Sequence, residues 1–336
     1  MVSDLLANGG AERCAALLSI FFEQHNCKVH HVIVIDKIEY QYAGEVFNMG
    51  KLKNKSNGLL NRISRFIAMK RFFNSKKFDI IIDFRVKRYQ IQEYIIAKYI
   101  YNSTLIVTIH NFMTEIYFPK NKLLANSIYK KAKLITVSNL ITNKVLNKFE
   151  YKNVQTIYNP IDENLFLEKA NENLNIDFEF ILAIGRLTDI KQFNVIIECY
   201  NNSTLKSKNI KLIILGDGEN RNSLQQLINE LNLKEEVLLL GFKENPYKYM
   251  KQAKFLVLCS KFEGFPMVLI ESLTCGTPLV SYNCPSGPSE IIKQNENGIL
   301  VENQNKVAMT EALNEMISNK ELYLHCKQNA KSSVER

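Results

Sequence analysis

Two carboxylates eight residues apart, Glu263 and Glu271, sit where an apolar strand gives way to a helix. Phe255, Leu256, Val257 and Leu258 form the strand-like run. Glu263 and Gly264 follow in a loop, a helix begins near Pro266, and Glu271 lies about one turn inside it. The N–H groups at the start of such a helix can hold an anion. One acid at the rim and one behind it can accept hydrogen bonds from sugar or ribose hydroxyls. The pattern therefore suits a ligand that is both anionic and rich in hydroxyls, as a nucleotide sugar is. The spacing alone is unspecific, and the setting carries the reading.

A second charged pair follows another strand. Ile184-Gly185-Arg186-Leu187 closes the run Phe180–Ile184, and Lys191 comes five residues after Arg186. Arg186 could fork onto phosphate oxygens while Lys191 supplies a compact point charge. Two cations beside a departing diphosphate would stabilise the charge that develops on it. Taken alone, they read equally well as two solvated surface charges. Leu215-Gly216-Asp217-Gly218-Glu219 is a strand-to-helix turn in which Asp217 or Asn220 caps the next helix. Asn8-Gly9-Gly10-Ala11-Glu12 opens a helix with two glycines, but it is not G-x-G-x-x-G and gives no support to a nicotinamide site. His110 ends the strand Leu105–Ile109, where on residue type alone it reads as a satisfied polar core residue.

These residues need a scaffold of alternating strands and helices, and the chain supplies one. β-Branched runs at Val29–Ile35, Asp79–Ile82, Leu105–Ile109, Leu134–Val137 and Val154–Ile157 alternate with helical patterns. The second half repeats the scheme at Phe180–Ile184, Lys211–Leu215, Val237–Leu240, Phe255–Leu258 and Pro278–Ser281. Strands covered by helices on both faces form parallel sheets. With 336 residues there is room for two such domains, and Tyr158-Asn159-Pro160-Ile161-Asp162 reads as their junction. In open α/β sheets, ligands bind at the carboxyl ends of the strands.

Composition narrows the class. No window offers about 18 consecutive apolar residues, as a spanning helix requires. The opening MVSDLLANGGAE turns polar within a few residues and reads as no signal peptide. The seven cysteines form no C-x-x-C pair and read as reduced cytosolic thiols, with no zinc-type spacing among Cys and His. Residues 1–158 hold 24 of the 43 Lys+Arg and 11 of the 34 Asp+Glu, a net +13, which leaves −4 for the remainder. Between Lys51 and Lys77 lie nine basic residues and no acid, interleaved with Leu59, Leu60, Ile63, Phe66, Ile67 and Phe73 at helical spacing. This segment suits an anionic membrane surface, and it equally suits a crossover helix that packs its apolar face on the sheet. No recognition motif accompanies the charge, so nucleic acid is not an expected partner.

The run EGFPMVLIES followed by CPSGPSEII, together with G-R-L-x-x-x-K at Gly185–Lys191, resembles the donor-binding signature of family-4 retaining glycosyltransferases. More narrowly, it resembles the bacterial branch that builds capsule, O-antigen and lipid-linked oligosaccharides, and the resemblance extends over nearly the whole chain. It implies a GT-B fold: two doubly wound Rossmann-like domains facing across a cleft. Residues 1–158 would be the acceptor side and residues 159–336 the nucleotide-sugar side. It further implies transfer of a hexose or N-acetylhexosamine, from a uridine nucleotide, to a saccharide carried on a polyprenyl diphosphate. The enzyme would be peripheral on the inner face of the cytoplasmic membrane.

By this resemblance, Glu271 accepts hydrogen bonds from the ribose. Glu263 holds hydroxyls of the transferred sugar, with Gly264 and the N–H groups of Phe265, Met267 and Val268 around it. Arg186 and Lys191 bind the departing diphosphate, Gly9 and Gly10 line the site near the phosphates and acceptor, Phe242 faces the base, and His110 contacts the donor sugar. No protein nucleophile is implied. No cofactor or metal is implied either, and the chain has no Asp-x-Asp motif. Many relatives carry cysteine where this chain has Ser286, so no thiol chemistry is expected there.

Two departures stand out. The family has a complete strand before the Gly-Gly loop, whereas Met1 stands only eight residues before Gly9, and relatives continue beyond Glu335-Arg336 into a further helix. The first strand and last helix are therefore expected to be truncated, leaving the first sheet without its central strand, by a misplaced start or because the chain is a fragment, with poor activity. A catalytically weak partner subunit and a nucleotide-sugar 2-epimerase are the alternatives. The intact Glu263, Glu271, Arg186 and Lys191 count against the first, and the GGAE opening and EGFP context against the second.

Overall fold

A computed structural model describes every residue except Asn8, Asn57, Glu150, Lys152, Glu335 and Arg336. The chain divides into two compact units, Met1–Pro160 and Ile161–Arg336. The division falls between Pro160 and Ile161.

In chain order the first unit runs β1 (Val2–Ser3), α1 (Gly10–Gln24), β2 (His30–Ile33), β3 (Glu45–Asn48), α2 (Leu59–Ser75) and β4 (Ile80–Asp83). It continues with α3 (Gln90–Ile95), which passes into a π-helical turn at Ile96–Ile100, and then β5 (Thr104–Ile109), α4 (Lys122–Tyr129), β6 (Lys133–Thr136), α5 (Asn139–Phe149) and β7 (Val154–Thr156). Its strands form one parallel sheet in the order β3-β2-β1-β4-β5-β6-β7. The central strand is therefore present, against the expectation that the sheet lacks its middle. Val2 and Ser3 suffice to fill the place: Val2 pairs with Val32 on one side and Asp83 on the other. Two residues of strand leave no periodic signal, which is why the sequence hides it. The edge strand β3 escapes for another reason, since EVFN is half-exposed and carries a charge.

The second unit runs α6 (Glu163–Ala170), β8 (Phe180–Ile184), α7 (Phe193–Asn201), β9 (Lys211–Leu215), α8 (Arg221–Glu230), β10 (Val237–Gly241) and α9 (Tyr247–Gln252). There follow β11 (Leu256–Leu258), α10 (Met267–Thr274), β12 (Leu279–Tyr282), α11 (Pro288–Ile291), β13 (Gly298–Val301), α12 (Lys306–Ser318) and α13 (Lys320–Asn329). The sheet order is β10-β9-β8-β11-β12-β13, again parallel. Phe180, Ile181, Leu182 and Ala183 are all buried, because helices cover both faces and no alternation is left to read. Glu335 and Arg336, where the chain was expected to stop short of a further helix, lie outside the described residues.

The basic segment resolves into α2, whose apolar residues split between two faces. Met69 and Phe73 are buried against the sheet, and Phe66 packs beside them. Leu59, Leu60, Ile63 and Ile67 point outward and are 73%, 83%, 46% and 47% exposed. One apolar face covers the sheet, as a crossover helix should, and a second remains in solvent.

Candidate active site

In the second unit, the loops after β8, β9, β10, β11 and β12 are tied together at the carboxyl edge of the sheet. Gly185 N–H donates to Leu215 O at 3.0 Å, and Gly216 N–H donates to Gly241 O at 2.9 Å. Leu187 N–H donates to Asp217 O at 3.0 Å, and Lys261 N–H donates to Ile190 O at 2.8 Å. Glu263 N–H donates to Pro285 O at 2.6 Å, and the buried Ser286 hydroxyl donates to Gly264 O at 2.7 Å. The backbone at Gly216 makes the tightest of these approaches. A Cβ there would lie 1.9 Å from the Gly185 carbonyl oxygen, and its φ of +137° is one that L side chains rarely adopt. Asn220 is the first residue before α8, but its side chain does not cap that helix; it donates to Asp189 at 2.7 Å.

This scaffold brings Lys191 and Glu263 together. The Lys191 ammonium lies 2.6 Å from Glu263 Oε1, and the Ser260 hydroxyl donates to the same oxygen at 2.6 Å. The Glu263 side chain is only 10% exposed. Both donors fall on Oε1, so among the described residues Oε2 has no protein partner and can accept from a ligand hydroxyl. Ser260 escapes motif reading; its one signal is the position three residues before Glu263, within reach across a tight loop.

Gly264 and Phe265 are buried, while Met267 and Val268 occupy the first turn of α10. First-turn N–H groups have no intrahelical acceptor. Glu271 is on the same helix and only 5% exposed, so the second acid is a buried group rather than a surface one. Arg186 is exposed just after β8, and Phe242 stands 73% exposed just after β10. The arrangement offers an oriented carboxylate, two cations, a helix start and an aromatic face along one sheet edge.

The first unit places its candidates at the carboxyl edge of its own sheet. Gly9 precedes α1 with extended backbone and Gly10 is the first helical residue; Asn8 lies outside the described residues. His110 directly follows β5, its ring tilted against Phe84 at 5.7 Å. Its backbone N–H donates to the Tyr117 hydroxyl at 3.1 Å, but both ring nitrogens are sheltered from water and have no partner among the described residues. The satisfied polar core residue expected from type alone is thus not what the structure shows. Burial lowers the imidazole pKa from 6.5 to about 4, so the ring is neutral at pH 7 and can exchange one hydrogen bond each way with a hydroxyl.

A depressed histidine pKa makes the unfolded chain bind the proton first, so stability is present above pH 6.5 and is lost as pH falls toward 4. His110 alone should cost about 2 kcal/mol between pH 7 and pH 5. Denaturant unfolding of wild type and His110→Asn at the two pH values tests this. The variant should show a flatter pH dependence by about that amount, and equal pH dependence would remove the buried neutral imidazole from the account.

Beside these residues lies a charged cluster that motif reading missed. Arg85 binds Asp83 through Nη2 at 2.8 Å and Nε at 3.1 Å, and reaches Glu93 at 3.0 Å. Lys87 bonds to Asp83 and lies 3.6 Å from Glu93, while the Tyr101 hydroxyl donates to Asp83 at 2.8 Å. Asp83, Arg85, Lys87 and Glu93 are all buried. Burial alone would raise the Asp83 pKa, but Arg85 and Lys87 overcome it and hold the carboxyl well below the usual range.

The family model for glycosyl transferases group 1 matches residues 166–333, which is half of the chain and contains the Arg186–Lys191 and Glu263–Glu271 loops. The chain belongs to this family. It is 41% identical over 181 residues to N-acetylgalactosamine-N,N'-diacetylbacillosaminyl-diphospho-undecaprenol 4-alpha-N-acetylgalactosaminyltransferase of Campylobacter jejuni, covering 54% of this chain and 49% of that protein. The amylovoran biosynthesis glycosyltransferase AmsD of Erwinia amylovora is 30% identical over 182 residues, covering 54% and 51%. The match thus spans about half the length of these relatives. Among solved structures, Anabaena HepE in complex with UDP superposes with a TM-score of 0.76 at 20% identity, over 99% of this chain and 93% of that one. The lipopolysaccharide outer core galactosyltransferase WaaB gives 0.71 at 21% identity, over 100% and 94%. The fold of this family member is that of the GT-B glycosyltransferases.

Proposed function

We infer that this chain transfers a hexose or N-acetylhexosamine from a UDP-linked donor to a saccharide acceptor borne on a polyprenyl diphosphate, with retention and without a metal. The second unit is assigned the donor and the first the acceptor. The observation that carries the reading is Glu263, whose Oε1 is fixed by Lys191 and Ser260 and whose Oε2 is left for a sugar hydroxyl. The Campylobacter relative is named for a diphospho-undecaprenol substrate, and HepE was solved with UDP, which supports the choice of lipid carrier and nucleotide.

Glu271 would accept from the ribose, and Phe242 would face the base. As the glycosyl–oxygen bond breaks, its electron pair passes to the diphosphate, where Arg186 and Lys191 stabilise the charge. The acceptor hydroxyl attacks from the same face and its proton goes to the departing phosphate oxygen, so no protein nucleophile is required. His110 would offer its neutral ring to a hydroxyl, and Gly9 and Gly10 would let an anion approach the start of α1. The basic face of α2 draws the enzyme to anionic lipid on the inner face of the cytoplasmic membrane, where a polyprenyl-linked acceptor resides.

Thermal shift with UDP, GDP and ADP tests the donor assignment. UDP at a hundredfold excess over its Kd should stabilise wild type by about 2.7 kcal/mol, with GDP and ADP well below that. Glu271→Ala and the closer mimic Glu271→Gln should both lose the UDP response while still unfolding cooperatively. No response to any nucleotide, or an undiminished one in both variants, would overturn the assignment.

A further inference from the structure

One layer of helices on the first unit leaves its outer surface apolar and without a carboxylate. α2 packs against the π-helical turn at Ile96–Ile100, and α3 packs against α4, so the three helices lie side by side on the sheet. Along α3 and the turn, two opposite stripes separate. Glu93, Ile96 and Ile100 are buried. Ile91, Ile95 and Tyr99, four residues apart in turn, are 74%, 40% and 55% exposed, with Tyr89 at 69% just before them. Neighbouring α2 adds Leu59, Leu60, Ile63 and Ile67, and the start of α4 adds Leu123 at 82%. Single exposed apolar residues are ordinary, but contiguous patches of this kind mark contact sites.

The buried ion cluster fixes which stripe faces out. The Arg85 guanidinium binds Glu93 at 3.0 Å inside the unit, and that contact turns the opposite side of α3, with Ile91 and Ile95, toward solvent. It also withdraws the only acid that α2, α3, the π-turn and α4 possess. What remains charged on this layer is basic: Arg62, the half-buried Arg65, Lys70 and Arg71 on α2, Lys98 on the turn and Lys122 on α4. At the end of α2 the exposed Glu45 of β3 is paired with Lys76 at 3.4 Å, so the acid nearest this layer is matched by a cation. An apolar surface whose own helices expose cations and no acid is complementary to an anionic lipid bilayer, where side chains sink into the acyl boundary and ammonium groups stay at the phosphates. A protein partner would be expected to meet charges of both signs.

We propose that the α2–α3–α4 layer inserts into anionic membrane, with Ile91, Ile95 and Tyr99 entering the acyl boundary as a wedge while the cations of α2 hold the headgroups. The inference rests on the membrane attraction of α2 given above and adds an inserting surface to it. It predicts two components of binding with different salt responses. Attraction by surface charge is screened at high ionic strength, and apolar insertion is not.

Flotation with phosphatidylglycerol and phosphatidylcholine vesicles at 0.1 M and 1 M NaCl separates the components. Wild type should float with phosphatidylglycerol at low salt and keep a bound fraction at 1 M. Ile91→Ser/Ile95→Ser/Tyr99→Ser should bind roughly tenfold more weakly or worse at low salt. That variant should lose the salt-resistant fraction while its UDP thermal shift stays unchanged. Lys70→Gln/Arg71→Gln should lose mainly the salt-sensitive fraction. The chain contains no tryptophan, so Tyr99→Trp supplies a single reporter whose emission should shift to the blue on phosphatidylglycerol vesicles, also at 1 M salt.

Complete release at 1 M salt, with the triple serine variant indistinguishable from wild type, would overturn insertion while sparing the electrostatic attraction. No flotation with either lipid would overturn both. Self-association without vesicles that the triple variant abolishes would assign the face to a second copy instead. A normal UDP shift in any of these cases leaves the donor assignment standing.

Discussion

Lys191→Met and Glu263→Gln are each expected to lower kcat/KM by about 10²–10³-fold, and the double variant to fall little further. The expectation follows from shared geometry. The ammonium and the Ser260 hydroxyl converge on one carboxylate oxygen, at 2.6 Å each, so removing the ammonium also releases the carboxylate from its orientation. The single variants should nonetheless differ in where the loss falls. Glu263 is assigned to the sugar, so Glu263→Gln should leave UDP affinity within a few-fold and reduce kcat. Lys191 is assigned to the diphosphate, so Lys191→Met should weaken UDP itself. Steady-state kinetics with UDP titration on all three proteins decides the matter. Losses that multiply in the double variant would show two independent groups, and the oriented pair would have to be abandoned.

Arg85→Met should destabilise the first unit by about 3–5 kcal/mol, which denaturant unfolding will read directly. Two buried carboxylates, Asp83 and Glu93, would then share the single Lys87 cation in a site without water to solvate the excess charge. Arg85→Lys keeps the charge but not the fork that spans both acids, and should fall between the two. Because Asp83 is depressed in the folded state, its contribution is present above the unfolded carboxyl pKa and lost as pH falls below it. The wild-type penalty should therefore appear under acid conditions below about pH 4. Arg85→Met unfolding with wild-type stability would mean the cluster relaxes without cost.

Much of this was legible from residues alone, and the exceptions share a cause. Five of the six strands of the second unit could be bounded nearly to the residue because a fully buried parallel strand is a continuous apolar run, as Phe180–Ile184 is, whereas β13 (Gly298–Val301) was not read from the sequence. β1 and β3 were hidden, one because two residues carry no period and the other because a half-exposed edge need not be apolar. Glu263 and Glu271 were found through their setting, whereas Ser260, the bond from Ser286 to Gly264 and the Asp83–Arg85–Lys87–Glu93 cluster were not. Their partners lie in other loops or across a buried turn, and no spacing rule reports a hydrogen bond between segments.

The sequence by itself determined the alternation of strand and helix, the basic first half and the residue types at the end of each strand, since these depend on local pattern and composition. Only the tertiary structure decided that Lys191 and Ser260 meet on one oxygen of Glu263, that His110 is buried with both ring nitrogens unmatched, and that Glu93 turns inward so that Ile91 and Ile95 face out. Those are consequences of which loops a folded sheet sets side by side. Hydrogen bonds and burial act across space, and distance along the chain does not encode them.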